Sequence, residues 1–204
     1  MMRWFNTFGE HQSMATYNGI NHIAMITLDM DMTIRFWRDL LGMRLVAGLG
    51  TKEYRHYFFE ISENDLIAFF EWPGVELAPE KDHGVPVKGA HIFDHISIGV
   101  TEFEHLIELK KKLTAAGFWV SEIMDHGFII SIYSFDPNHI PIEFSFPVSN
   151  VDIRKKPKMK DRLATKITLE GPDPKTGIWP EYIEKKWEKD DFEVYAGEGK
   201  IFSE

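Results

Sequence analysis

Two stretches of the chain alternate between apolar and polar residues at the period of a strand, then switch to helical spacing. The first, Gly19-Ile-Asn-His-Ile-Ala-Met-Ile-Thr-Leu28, runs into Asp31 to Leu41, where Ile34, Trp37, Arg38 and Leu41 recur at helical intervals and Gly42 supplies a stop. The second, Ile92-Phe-Asp-His-Ile-Ser-Ile-Gly-Val100, runs into Glu102 to Ala116, with Phe103, Leu106, Ile107 and Leu113 at similar spacing and Gly117 as the stop. Each helix is followed by three runs of strand length and composition. They are Met43–Ala47, Tyr54–Ile61 and Leu66–Trp72 in the first half, and Phe118–Ile123, Phe128–Tyr133 and Ile140–Phe146 in the second.

The halves therefore repeat. His22 and His95 correspond at an offset of 73 residues, and the closing runs Phe70-Glu71-Trp72-Pro73 and Phe144-Ser145-Phe146-Pro147 correspond at 74. This spacing predicts an α+β domain over 18–147, made of two tandem βαβββ units (about 18–73 and 91–147) that form a cupped, barrel-like mixed sheet. Gly74 to Ala90, rich in Pro and Gly, joins them. An N-terminal extension covers 1–17. A C-terminal extension, 148–204, is expected to pack on the domain or on a partner subunit. Within it, six of the nine residues 154–162 are basic, which reads as a solvated connector. Pro180 can open a short helix with Trp179, Ile183 and Trp187 on one face.

Alternation along a strand puts His22 on a face with Ala24 and Ile26, and His95 on a face with Ser97 and Gly99. A lone strand histidine is usually structural, but two at equivalent places of a repeat beside small residues point to metal ligation. Glu143, inside the apolar run Ile140–Phe146, is the third candidate, because a carboxylate there is costly unless paired or metal-bound. At the 74-residue offset Glu143 corresponds to Phe69, which cannot bind a metal. Two histidines and one carboxylate remain, the set used by non-haem iron(II) oxygenases. Glu71, two residues beyond Phe69, is a possible fourth ligand, and His56 a possible pocket residue.

Composition narrows the chemistry. The 204 residues include no cysteine, so disulfides, thiolate ligands and a cysteine nucleophile are excluded. Any metal must then be held by His, Asp, Glu or water, which suits Fe(II), Mn, Ni, Zn or Co. With 44% hydrophobic and 14% aromatic residues the chain is of ordinary globular composition. The net charge of −9 resides in residues 1–147, since 148–204 holds 12 basic and 12 acidic residues. An acidic body repels a phosphate backbone, so nucleic acid is not an expected partner. No apolar run of membrane-spanning length or signal-peptide type occurs, and the expected location is the cytoplasm.

The tandem pattern with His-Ile in each first strand resembles the vicinal oxygen chelate superfamily, which includes glyoxalase I, methylmalonyl-CoA epimerase, fosfomycin-resistance proteins and extradiol dioxygenases. The resemblance covers residues 18–147. The second half is most similar to the compact type I extradiol dioxygenases through His126-Gly-Phe-Ile-Ile-Ser-Ile-Tyr133-Ser-Phe-Asp136-Pro137-Asn138-His139-Ile-Pro-Ile-Glu143. It departs at Met124, where a small or β-branched residue is usual, and at His139, where Gly or Pro is usual. The resemblance implies Fe(II) on His22, His95 and Glu143, a catechol-type aromatic diol and O2 as substrates, His126 as the proton-transfer group and Tyr133 as a hydrogen-bond donor to a substrate oxygen. It also implies a homodimer. The alternatives are a glyoxalase- or epimerase-type lyase or isomerase, with Glu71 completing a four-ligand metal site, and a metal-free small-molecule binding protein of the same fold.

Overall fold

A computed structural model of the chain describes residues 19–88, 93–157, 160, 162–175, 177–179 and 193–203. The first half supplies β1 (His22–Thr27), α1 (Met30–Ile34), β2 (Arg44–Gly50), β3 (Arg55–Glu60) and β4 (Leu66–Glu71). The second supplies β5 (Ile96–Gly99), α2 (Phe103–Ala115), β6 (Met124–Asp125), β7 (Ile129–Phe135) and β8 (Pro141–Pro147). Each half closes its own four-stranded sheet, in the orders β1-β4-β3-β2 and β5-β8-β7-β6. In both, the first strand runs parallel to the last, and the remaining pairs are antiparallel. The duplicated βαβββ plan is thus present as two separate sheets, and the expected barrel-like closure into one sheet does not occur.

Alternation decides the faces. In β5, Ile96 and Ile98 are buried while Ser97 and Gly99 are exposed. Ile96, Ile98, Leu106, Leu113, Ile132, Ile142 and Phe144 of the second half share one core with Trp37, Phe59, Ile67 and Phe69 of the first. Side chains of this size contribute about 1.5–3 kcal/mol each on full burial. The opposite face of each sheet is left open, as a cup.

Two elements depart from the expected pattern. The helix after β1 begins as α and continues over Arg35–Leu40 as a π-helix, so that Leu41 N donates to Phe36 O and Met43 N to Trp37 O, both at 3.0 Å. The run Phe118–Ile123 does not become a regular strand. Ser121 Oγ accepts the Tyr133 N–H at 2.9 Å, and the Ser121 carbonyl is taken by Lys110 Nζ at 2.6 Å, so side chains occupy ladder positions. What remains is a Val120–Ser134 bridge and the two-residue β6.

A buried polar bracket joins the halves. Asn138, in the turn between β7 and β8, accepts from Thr27 Oγ1 at 2.7 Å and Leu28 N at 3.1 Å, and donates to Thr33 Oγ1 at 3.1 Å. Asp136 in the same turn accepts from Asn138 N, Ile140 N and, at 3.3 Å, the Trp37 indole. His139 holds φ +63°, the left-handed conformation that explains why glycine suits this place. Its Nδ1 lies 2.7 Å from Ala78 O and so ties the linker to the turn.

The C-terminal extension leaves β8 with Val148 N donating to Phe128 O at 3.0 Å and follows the open face of the second sheet through Lys155. The helix expected after Pro180 lies outside the described residues. Among those described, no helix is long and apolar enough to cross a membrane.

Candidate active site

On the open face of the second sheet, β8 presents Glu143 between Ser97 of β5 and Tyr133 of β7, its register partners on either side. The carboxylate is only 3% exposed. Tyr133 Oη donates to Glu143 Oε1 at 3.0 Å and lies 2.8 Å from His126 Nε2. His95, just ahead of β5, places Nε2 3.3 Å from Glu143 Oε2. Burial pushes the Glu143 carboxyl up, but the surrounding hydroxyls of Ser131, Ser97 and Tyr133, with His95, hold it below its ordinary value. Burial and the adjacent carboxylate push the Tyr133 hydroxyl up to about 12, so it remains a donor across the neutral range.

His95 is held from behind. Its Nδ1 lies 2.6 Å from Asp94 Oδ1, and Asp94 is itself gripped by Lys81 and by Gly84 N at 3.0 Å. Those contacts keep Asp94 well below the usual carboxylate range. The Asp94 carboxylate at Nδ1 orients the ring so that Nε2 faces Glu143. The linker that grips Asp94 also lays His83 flat on Tyr133, with ring centroids 3.5 Å apart and planes 2° apart. Burial, and then His95, hold the His83 imidazole below its ordinary value.

The other expected residues fall elsewhere. His22 opens onto the first sheet's cup, an apolar cavity of about 430 Å³ shared with Val46, Leu49, His56, Phe58 and Phe202. Its Nδ1 is held by the preceding side chain, Asn21 Oδ1, at 2.9 Å, as His95 is held by Asp94. His56 is buried there and stacked on Phe70 at 3.5 Å. Among the described residues no three His, Asp or Glu side chains are close enough together to hold a metal ion. The set His22, His95 and Glu143 is therefore not assembled within one chain. Only His95 and Glu143 meet.

The strand register also corrects the repeat alignment. Ala24 pairs with Ala68, as Ser97 pairs with Glu143, so the counterpart of Glu143 is Ala68 and not Phe69. A one-residue slip exchanges faces. Phe69 lies in the core against Trp37, and Glu71 points to the same side. There Glu71 Oε1 accepts Met30 N at 3.0 Å, at the start of α1, and Oε2 lies 3.3 Å from Arg55 Nη1. Glu71 is a helix-capping residue, not a ligand facing either cup. By the same register Phe58 matches Tyr133, His56 matches Ser131 and Phe70 matches Ser145. One cup is aromatic and the other carries the polar groups.

The donor chemistry fits a divalent cation in part. His95 Nε2 and Glu143 converge, each fixed by further hydrogen bonds, and further ligands must come from outside this pair. Sequence reasoning missed Asp94 and His83. The polar residue before each His-Ile was a visible signal for Asp94, while His83 sits in the aperiodic linker and carried none.

A family model for the glyoxalase/bleomycin resistance protein/dioxygenase superfamily matches residues 19–144. The chain belongs to this superfamily. Solved structures agree at the level of fold. A glyoxylase/bleomycin resistance protein/dioxygenase domain from Frankia sp. is 18% identical with a TM-score of 0.55, covering 65% of this chain and 100% of that one. A glyoxalase family protein from Enterococcus faecalis is 18% identical, TM-score 0.50, covering 63% and 98%. The fosfomycin resistance protein FosX from Listeria monocytogenes is 17% identical, TM-score 0.50, covering 66% and 97%. The region matched by the family model spans the two βαβββ units, and the C-terminal extension lies beyond it.

Proposed function

We propose that the protein is a divalent-metal oxidoreductase, an Fe(II) extradiol dioxygenase acting on a catechol-type diol with O2. The observation that carries this reading is the Tyr133 hydroxyl, poised between His126 Nε2 and Glu143 Oε1. The metal would be held by His95 and Glu143, with His22 of a second copy supplying the third ligand in a homodimer. Its chemistry, when bound, is to acidify a diol hydroxyl and to bring two adjacent oxygens and O2 together. Mn, Ni, Zn or Co would suit the same donors.

The chain's own groups do the rest. Asp94 orients His95, and the hydroxyls around Glu143 keep it anionic. Tyr133 donates a hydrogen bond to a substrate oxygen. His126, in contact with the Tyr133 hydroxyl through Nε2, would pass a proton to or from the substrate oxygen that Tyr133 contacts. The stacked His83 ring limits solvent at Tyr133. The lyase or isomerase alternative is in keeping with glyoxalase family proteins of this fold, and with Glu71 engaged at the start of α1 it would draw its fourth ligand from another residue.

The test is oxygen uptake by anaerobically Fe(II)-loaded protein with a panel of catechols, using His95→Ala as the blank. A ring-cleavage product that disappears in the variant supports the proposal. No uptake with any catechol would sink it, and nickel- or zinc-dependent glyoxalase assays would follow.

A further inference from the structure

The basic segment that follows the second repeat does not run free into solvent. Val151 N donates to Val148 O at 3.2 Å, and Asp152 Oδ1 accepts from Arg154 N at 3.0 Å and Lys155 N at 3.1 Å. These turns fold 148–155 over the second sheet. The result is a cavity of about 680 Å³ whose floor is Ser97, Gly99 and Ser145 and whose wall includes Arg154 and Lys155. Ser97 and Ser145 lie beside Glu143 on β5 and β8, and their hydroxyls are 3.1 Å apart. An adjoining cavity of about 550 Å³ is lined by His126 and Lys160, and the two share Phe128, Val151 and Ile153. The two cavities thus adjoin along an apolar strip, with His126 lining one and Arg154 the other.

The charge there opposes the rest of the molecule. Residues 1–147 carry a net −9, yet Arg154 begins a run with six basic residues in nine. Asp152 also lines the cavity, pairs with Lys155 at 3.2 Å and acts on Arg154 as well, so the turn offsets part of both positive charges. Of the two cations, Arg154 is the planar donor better matched to a carboxylate.

We propose that the substrate carries a carboxylate that docks on Arg154, with Lys155 in support, while its ring lies on Phe128, Val151 and Ile153 and its reacting end faces His126. The substrate class is an aromatic diol acid rather than a neutral catechol. The identity of the reacting end rests on the dioxygenase reading; the anion subsite does not.

Binding of 3,4-dihydroxybenzoate and of catechol to the full-length protein, measured by calorimetry, tests this. The acid should bind at least tenfold more tightly. That preference should shrink to within twofold in the double variant Arg154→Gln/Lys155→Gln and should weaken as salt is raised, while catechol affinity stays unchanged. Both residues are exposed, and unchanged thermal melting would confirm that the variant folds. Equal affinity for the two ligands, no binding of the acid, or a preference that survives in the double variant would overturn the proposal. Oxygen uptake with the same pair separates the two readings. Arg154-dependent binding without uptake removes the dioxygenase and keeps the subsite; uptake with no acid preference does the reverse.

Discussion

At the scale of single residues, the second cup turns on Tyr133. Tyr133→Phe removes the donor between His126 and Glu143 and keeps the ring under His83, so folding should be intact. The expected outcome is a fall in kcat of roughly 10²-fold with KM little changed, checked by steady-state oxygen uptake. His126→Ala should fall by a similar factor, and the double variant by little more than either single one, because the two groups act at one hydroxyl. His95, Glu143, His126 and Tyr133 were legible in the sequence from their places in a repeat and from the family resemblance. The positions of Glu71 and Phe69 were not. Their faces depend on strand pairing, where the β1–β4 register sets Ala68 opposite Ala24, and an offset counted between closing motifs misses that by one residue.

At the scale of elements, the turn between β7 and β8 holds the two halves together through Asn138. Asn138→Ala would leave Leu28 N without its partner and take one partner each from the Thr27 and Thr33 hydroxyls, which bond each other at 2.7 Å. It should destabilise the fold by about 2–4 kcal/mol, read as a shifted denaturant midpoint. Asp136 beside it behaves unlike most carboxylates. Burial raises its pKa above the unfolded value, against the hydrogen bonds from Asn138, Ile140 and Trp37 that lower it. The stability gained through the protonated form is fully present below the unfolded pKa and is lost as pH rises through the folded one. The stability of the native chain relative to Asp136→Asn should therefore decline from acidic toward neutral pH, measured by denaturation at each pH. Nothing in the sequence signals that the turn holding Asp136 is buried against α1. Regular elements were likewise readable from their period, whereas the π-helical Arg35–Leu40 and the irregular Val120–Asp125 edge were not. Both are set by particular hydrogen bonds, and an apolar pattern does not record those.

At the scale of the whole molecule, duplication has been followed by division. Two units of one plan present cups of opposite character, the first lined by Phe58, Phe70 and His56 and the second by Tyr133, Ser145 and Ser131. The repeat was plain in the sequence. That the halves form two sheets was not, because periodicity describes each unit and says nothing of how they are joined. The separation of His22 from His95 and Glu143 has a consequence for any assay. If a site is completed only when chains associate, metal occupancy obeys mass action in the protein itself. At fixed free metal, diluting the chain below its dimer dissociation constant should strip the ion, and His22→Ala should match the dilute native protein at every concentration. Equimolar mixing of His22→Ala with His95→Ala should restore part of the binding through the sites whose ligands come from different parents. Under that condition an activity measured only at nanomolar protein would fall short of the value at concentrations where chains pair.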